Sequence, residues 1–130
     1  MKRMILLFSH RLTPKQIEDA KERFGIKTFV YLPKHLQEVW SGLDPKEASI
    51  KGQLKPILDY IRANTSEEDI FLVQGDFGAV FIAVSLIKSL GMKAYYSTTK
   101  RVYNTVHLDK GLLKNTHLFS HEIFREYEDL

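Results

Sequence analysis

The sequence predicts an α/β protein with a mostly parallel central sheet, helices that flank it and a β-hairpin extension at the C-terminus. Residues 4–8 and 70–73 are unbroken apolar runs, which are typical of strands buried on both faces. Such runs alternate with helical patterns along the chain, and this alternation favours parallel strands joined by right-handed crossovers. The length of 130 residues fits one domain over residues 1–130.

Helix-start patterns place several elements. Thr13-Pro14 with Gln16, and Asp44-Pro45 with Glu47, each combine a cap residue, a first-turn proline and a side chain that can reach back to the cap. Pro56 predicts a kink in the second of these helices. Residues 79–90 are apolar on nearly every side, so this helix should be buried all round, within the domain or between two copies. The predicted elements are strand 4–8, helix 13–25, strand 28–32, a helical turn over 33–40, helix 44–64, strand 69–74, helix 79–90, strand 93–98, and hairpin strands 102–108 and 112–124 joined at 109–111, with a frayed tail over 126–130.

Composition narrows the classes of function. The chain has no cysteine, which excludes disulfides, thiolate metal sites and cysteine nucleophiles. The apolar start is too short for a signal peptide, and the longest apolar run is too short to span a bilayer, so we expect a cytoplasmic protein without membrane contact. A net charge of +3 suits a small anionic ligand better than duplex nucleic acid.

Three polar loops follow predicted strands. They are Ser9-His10-Arg11, the stretch from Gln74 to Gly78, and Thr99-Lys100-Arg101. Ligands of open α/β sheets bind at the carboxyl ends of the strands, near the point where the strand order reverses. The glycines of the second loop let the backbone approach a ligand, and the helix that follows directs its positive end toward an anion. Together these loops indicate a phosphodiester ligand.

Each of these residues also has a plainer interpretation. His10 could be a surface histidine, Lys100-Arg101 a solvated basic pair, and Asp76 a simple helix cap. His117 and His121 are four residues apart, but no acidic partner completes a zinc pattern, so we predict no metal site. A serine hydrolase is poorly supported because the nucleophile-elbow pattern G-x-S-x-G is absent from the sequence.

Several segments of the sequence occur in the same order as in a known protein family. It resembles small CRISPR-associated proteins of type III systems, in the Csx group. The resemblance implies a Rossmann-like fold, a homodimer, no cofactor, and a ring nuclease that degrades cyclic oligoadenylate, with cyclic tetra-adenylate as the expected ring, and so switches off the antiviral response. The blocks that carry it are residues 7–13 with Gln16, Tyr31-Leu32-Pro33 with Leu36, Gln37 and Trp40, residues 74–79, and Thr98-Thr99-Lys100-Arg101.

A ring of adenylates can be opened without metal, because a ribose 2′-OH can attack the adjacent phosphate to give a 2′,3′-cyclic phosphate and a free 5′-OH. The protein must align the attack, stabilise phosphate charge and assist proton transfer. We assign proton transfer to His10, and orientation of His10 or a ribose contact to Asp76. Phosphate stabilisation is assigned to Lys100 and Arg101 with the N–H groups around Phe77 and Gly78, and ligand contacts to Ser9, Arg11, Gln74, Gly75 and Thr99.

Three other classes stay open at this point. A non-catalytic protein that binds or sequesters the same messenger would use the same loops. An interaction protein could dock through the apolar helix at residues 79–90. A metal-dependent phosphodiesterase is a weaker possibility because carboxylates are sparse in the loops.

Overall fold

A computed structural model describes residues 2–107, 111 and 113–130, with side chains described outside 102–107 and 113–118. Strands and helices alternate through most of it, as the sequence predicts. The elements are β1 (Arg3–Leu7), α1 (Pro14–Phe24), β2 (Thr28–Tyr31), α2 (Lys34–Ser41), α3 (Lys51–Asn64), β3 (Ile70–Val73), α4 (Phe77–Ser89), β4 (Lys93–His107) and β5 (Leu113–Glu126).

The five strands form one sheet in the order β2-β1-β3-β4-β5. The first four are parallel to their neighbours, and β5 is antiparallel to β4. The predicted mostly parallel sheet with a C-terminal hairpin is therefore confirmed. From β1 the chain moves to one side for β2 and to the other side for β3, so the strand order reverses between β1 and β3.

Both faces of the sheet are covered, which explains the unbroken apolar runs in β1 and β3. Met4, Leu6 and Leu72 point toward α1, where they pack with Ala20 and Phe124. Alternate residues of the same strands point the other way and meet α2, α3 and α4. The buried residues of this second layer include Ile5, Leu7, Phe71, Val73, Leu36, Trp40, Leu54, Ile57, Ile61, Ala79, Ala83 and Ile87.

The capping box of α1 forms as predicted. The Thr13 hydroxyl accepts a hydrogen bond from the Gln16 N–H at 3.3 Å, and the Gln16 side-chain oxygen accepts one from the Thr13 N–H at 2.8 Å. Gly25 ends the helix with a left-handed φ of 66°. The cap fixes where the chain turns after the polar loop at residues 9–11.

The predicted start of the third helix is wrong. Helix α3 begins at Lys51 rather than at Asp44. The Asp44 carboxylate accepts a hydrogen bond from the N–H of Lys46, two residues on, at 2.9 Å. This is the geometry of a local turn, which competes with helix initiation for the same side chain.

Helix α4 is not buried all round in the single chain, contrary to prediction. Only Ala79, Ala83 and Ile87 are fully buried, whereas Phe77 is 95% exposed and Phe81 is 74% exposed. A helix that packs on one side of a sheet leaves its other side outward, and no further described element of the chain covers that side. Burial of this side between two copies stays a prediction.

Strand β4 is longer than predicted. Thr99-Lys100-Arg101 belong to the strand rather than to a loop, and a bulge lies between Ser97 and Thr99. Pairing with β5 explains this, because β5 supplies partners for these residues well beyond the end of β3. The predicted turn at 109–111 falls largely outside the described residues; only Gly111 is described, with a φ of 74°.

The C-terminal tail is partly held in place rather than frayed throughout. The Tyr127 hydroxyl donates a hydrogen bond to the Val73 carbonyl at 2.7 Å, and the Tyr127 N–H donates to Ala94 at 2.9 Å. Across the described part of the chain, no helix has both the length and the apolarity that a bilayer crossing needs.

Candidate functional site

Hydrogen bonds join the residues that follow β1 and β3 to the end of α2, and join Gln74 to β4. The Ser41 hydroxyl donates to the Ser9 hydroxyl at 3.1 Å, and the Trp40 indole N–H donates to the Gln74 carbonyl at 2.9 Å. The Gln74 side-chain oxygen accepts from the Ser97 N–H at 2.7 Å. The first two predicted loops therefore meet at one edge of the sheet, where the strand order reverses.

A cavity of about 490 Å³ opens beside the first loop. His10 and Arg11 are exposed at its mouth, and Lys34 at the start of α2 adds a third potential cation. The His10 ring meets the Phe8 ring edge-on at 5.5 Å, and the Arg11 guanidinium lies 5.5 Å from the centre of the Tyr31 ring. The lining, named here the basic cavity, comprises Ser9, His10, Arg11, Tyr31, Leu32, Lys34, Gln37, Glu38 and Ser41.

The second loop packs tightly against α2. A Cβ on Gly75 would lie 2.8 Å from the indole nitrogen of Trp40, closer than real contacts allow. Glycine is therefore required here by the close approach of a buried indole, not by a left-handed backbone.

Asp76 caps α4, which was the plainer interpretation of this residue. Its carboxylate accepts a hydrogen bond from the Ala79 N–H at 3.0 Å. The same carboxylate approaches Gly78, where an added Cβ would lie 3.3 Å from it. The negative charge offsets part of the helix's attraction for an anion, and the N–H groups of Phe77 and Gly78 are left as the donors of that turn.

Thr99, Lys100 and Arg101 are exposed on the hairpin and line neither the basic cavity nor the cavity beside Gly75. Lys100 pairs with Ser120, whose hydroxyl accepts a hydrogen bond from Lys15 at 2.9 Å. Lys15 lies in the first turn of α1, directly after the first loop. The hairpin therefore places Lys100 and Arg101 near the start of α1 and not at the edge where the parallel strands end.

A polar network centred on the buried His121 lies behind this edge, and sequence reasoning missed it. The His121 ring bonds the Ser97 hydroxyl through Nδ1 at 2.5 Å and the Asp19 carboxylate through Nε2 at 2.8 Å. Asp19 also accepts the Phe124 N–H at 3.1 Å. The His121 side chain is 3% exposed, so the network ties β5 and β4 to α1 instead of facing a substrate. No local pattern predicts it, because its members are far apart in the sequence; the side chain of His117 lies outside the described ones.

A partly buried ion pair lies at the opposite, amino-terminal edge of the sheet. Asp69 is 2% exposed and accepts two hydrogen bonds from the Arg3 guanidinium, at 3.0 and 2.7 Å. Burial by itself would raise the Asp69 pKa, but the bonds from Arg3 and from the Ser66 N–H outweigh it and lower that pKa. This pair belongs to the fold rather than to the candidate site.

Comparison with known proteins places the chain in a family. The model of the Uncharacterized protein MJ1673 family matches residues 2–125. The chain belongs to this family. A relative described as "Uncharacterized protein MJ1673", from Methanocaldococcus jannaschii, is 40% identical over 127 residues, which cover 98% of each chain. No solved structure matches the chain significantly. Neither description of the MJ1673 family names an activity, ligand or partner, so the ring-nuclease expectation stays a prediction.

Proposed function

We propose that this MJ1673-family protein is a ring nuclease of the cytoplasm that binds cyclic oligoadenylate, with cyclic tetra-adenylate as the expected ring, at the carboxyl edge of a Rossmann-like sheet. Cleavage proceeds by 2′-OH attack without metal or cofactor and gives linear products that end in a 2′,3′-cyclic phosphate. The protein acts as a homodimer, because a two-fold symmetric ring is best gripped across a two-fold interface.

The observation that carries the proposal is the meeting of the first two loops at the reversal of strand order. The bonds from Ser41 to Ser9 and from Trp40 to Gln74 hold both loops against the end of α2. Next to this edge, His10 and Arg11 are exposed and line the basic cavity, which lies between the ends of β1 and β2 and helix α2 and is large enough for a ribose and its phosphates. Exposed cations around a concave edge are what a phosphodiester ligand requires.

Each site residue has its own role in the proposed cleavage. His10 transfers the proton at the 2′-oxygen or the leaving 5′-oxygen. Arg11 neutralises the phosphate in the basic cavity, while Lys100 and Arg101 reach other phosphates of the ring from the hairpin. Asp76 acts through its cap, which holds the turn at residues 75–78 in place.

The test is turnover of cyclic tri-, tetra- and hexa-adenylate in EDTA, with products separated on a denaturing gel. Wild type should yield linear products that carry a 2′,3′-cyclic phosphate and a 5′-OH. His10→Ala should lower turnover about 100-fold or more, the usual contribution of a positioned acid or base. His35→Ala is the matched control, because His35 is also exposed on this part of the chain but does not line the basic cavity. Activity that disappears in EDTA, or that survives His10→Ala, contradicts the mechanism.

A second candidate, a protein that sequesters the same messenger without cleaving it, is favoured by one observation. The Asp76 carboxylate accepts the Ala79 N–H, and none of the described hydrogen bonds joins it to His10, so His10 lacks the carboxylate partner that would orient it as a base. Calorimetry separates the two functions: tight binding of the intact ring with no product after long incubation identifies the sequestering protein.

A further inference from the structure

A second cavity lies beside the Gly75 loop, where β3 ends and Tyr96 of β4 runs alongside it. Its volume is about 340 Å³, and three of its lining residues are aromatic. We name it the aromatic cavity; it is lined by Gln74, Gly75, Phe77, Val80, Tyr96 and Tyr127. We propose that the aromatic cavity holds a purine base of an adenylate ligand, and this inference deepens the proposed function and rests on it for the identity of the full ligand.

One wall of the aromatic cavity is rigid. The rings of Tyr96 and Tyr127 lie 4.8 Å apart, and the Tyr127 hydroxyl is bonded to the Val73 carbonyl at 2.7 Å. Arg125 donates to the Tyr96 hydroxyl at 3.2 Å, and its guanidinium lies 5.7 Å from the centre of that ring. Because both rings are held in place before any ligand arrives, little side-chain freedom is lost when a flat molecule packs against them.

The aromatic cavity also offers an uncovered aromatic ring. Phe77 is the first residue of α4 and is 95% exposed, which leaves its ring free to pack on a ligand. Flat aromatic side chains beside a cationic edge are how proteins bind single-stranded nucleotides, since every base presents a π-face. Phe77 is therefore the residue that we expect to stack on the base.

Gln74 supplies the polar group that favours a base over an apolar occupant. Its side-chain oxygen is engaged by the Ser97 N–H at 2.7 Å, so the group it can offer a ligand is the amide N–H₂ donor. Ring nitrogens of adenine are acceptors and complement such a donor. Gln74 also accepts the Trp40 indole N–H at 2.9 Å through its backbone carbonyl, and Trp40 and Ser41 lead directly to Ser9 of the basic cavity.

Phe81 provides a matched control for Phe77. It lies one turn further along α4, is 74% exposed, and does not line the aromatic cavity. Cyclic tetra-adenylate, adenosine 5′-monophosphate and ribose 5-phosphate are titrated calorimetrically into wild type, Phe77→Ala and Phe81→Ala. The expected result is that Phe77→Ala weakens binding of both adenine ligands about 5- to 150-fold, the cost of one lost stacking contact. Phe81→Ala should bind within about twofold of wild type, by the same arithmetic.

The outcomes separate the two proposals. Suppose that wild type binds adenosine 5′-monophosphate more tightly than ribose 5-phosphate, that this binding depends on Phe77, and that cyclic tetra-adenylate does not bind. The base site is then supported and the ring-nuclease proposal is contradicted. If the ring binds equally well to wild type and Phe77→Ala, the inference is overturned whether or not the ring is cleaved. The inference is also overturned if no adenine ligand binds. Sedimentation of the same variants tests whether a second copy of the chain packs on Phe77 instead. If Phe77→Ala dissociates a dimer without weakening ligand affinity, this face is a dimer interface and the inference is overturned.

Discussion

Gly75→Ala tests whether the second loop and α2 are packed as tightly as the structure has them. The added Cβ would lie 2.8 Å from the Trp40 indole nitrogen and 3.1 and 3.2 Å from two of its ring carbons. Trp40 is only 2% exposed and packs in the core, so the indole can move only by displacing its neighbours. The substitution should therefore displace the indole and break its bond to the Gln74 carbonyl.

The magnitude follows from two contributions. Overpacking of a well-filled site costs about 1–3 kcal/mol, and the lost hydrogen bond adds about 1 kcal/mol, so unfolding should become easier by roughly 2–4 kcal/mol. With a urea dependence of about 2 kcal/mol per molar, the unfolding midpoint should fall by about 1–2 M. Trp40 is the one tryptophan of the chain, so its fluorescence reports both the unfolding and the local displacement.

The matched control is Gly52→Ala, since a Cβ on Gly52 meets nothing within 4 Å and the residue lies in α3. There alanine should leave stability unchanged or raise it by up to about 1 kcal/mol, because glycine is the poorer helix former. A Gly75→Ala protein with the wild-type midpoint and the wild-type fluorescence spectrum would refute the close approach on which the site's geometry depends.

The remaining predictions concern a buried ion pair, a buried histidine, a helix cap and a hairpin cation. Asp69→Asn should destabilise the fold at neutral pH. The pKa of Asp69 is lower in the folded protein than its ordinary value of 3.8. The extra stability of the wild type is therefore fully present above pH 3.8 and is lost as the pH falls through the folded-state pKa. Urea midpoints of both proteins at several pH values check this, and a constant difference would contradict it. His121→Ala should cost about 2–4 kcal/mol, because Asp19 and Ser97, which are partly buried, each lose a hydrogen bond and removal of the buried imidazole leaves a cavity; an unchanged melting curve would exclude this. Asp76→Ala should lower stability by about 0.5–2 kcal/mol through loss of the α4 cap, measured by the same unfolding assay. Lys100→Ala should slow ring cleavage on the order of a hundredfold if it stabilises a phosphate in the transition state, and a wild-type rate would remove it from the mechanism.

The sequence by itself determined the features that depend on near neighbours. The capping box of Thr13 and Gln16 formed as predicted, because its partners are three residues apart and need nothing else from the fold. Apolar runs predicted strands at residues 4–8 and 69–74, which the structure has at 3–7 and 70–73, since burial on both faces requires that composition. The parallel sheet and the first two loops of the candidate site followed from these elements and from the rule for ligand position in open α/β sheets.

Other features were decided only by tertiary structure. Whether residues 99–101 form a loop or a strand depends on β5, which supplies partners from some twenty residues away. The start of α3 depends on a competing turn at Asp44, and the outward side of α4 on what packs against it. His121 meets Asp19 across 102 positions of sequence. A local sequence pattern does not predict such contacts, because the free energy that stabilises them comes from packing between segments that only the folded chain brings together.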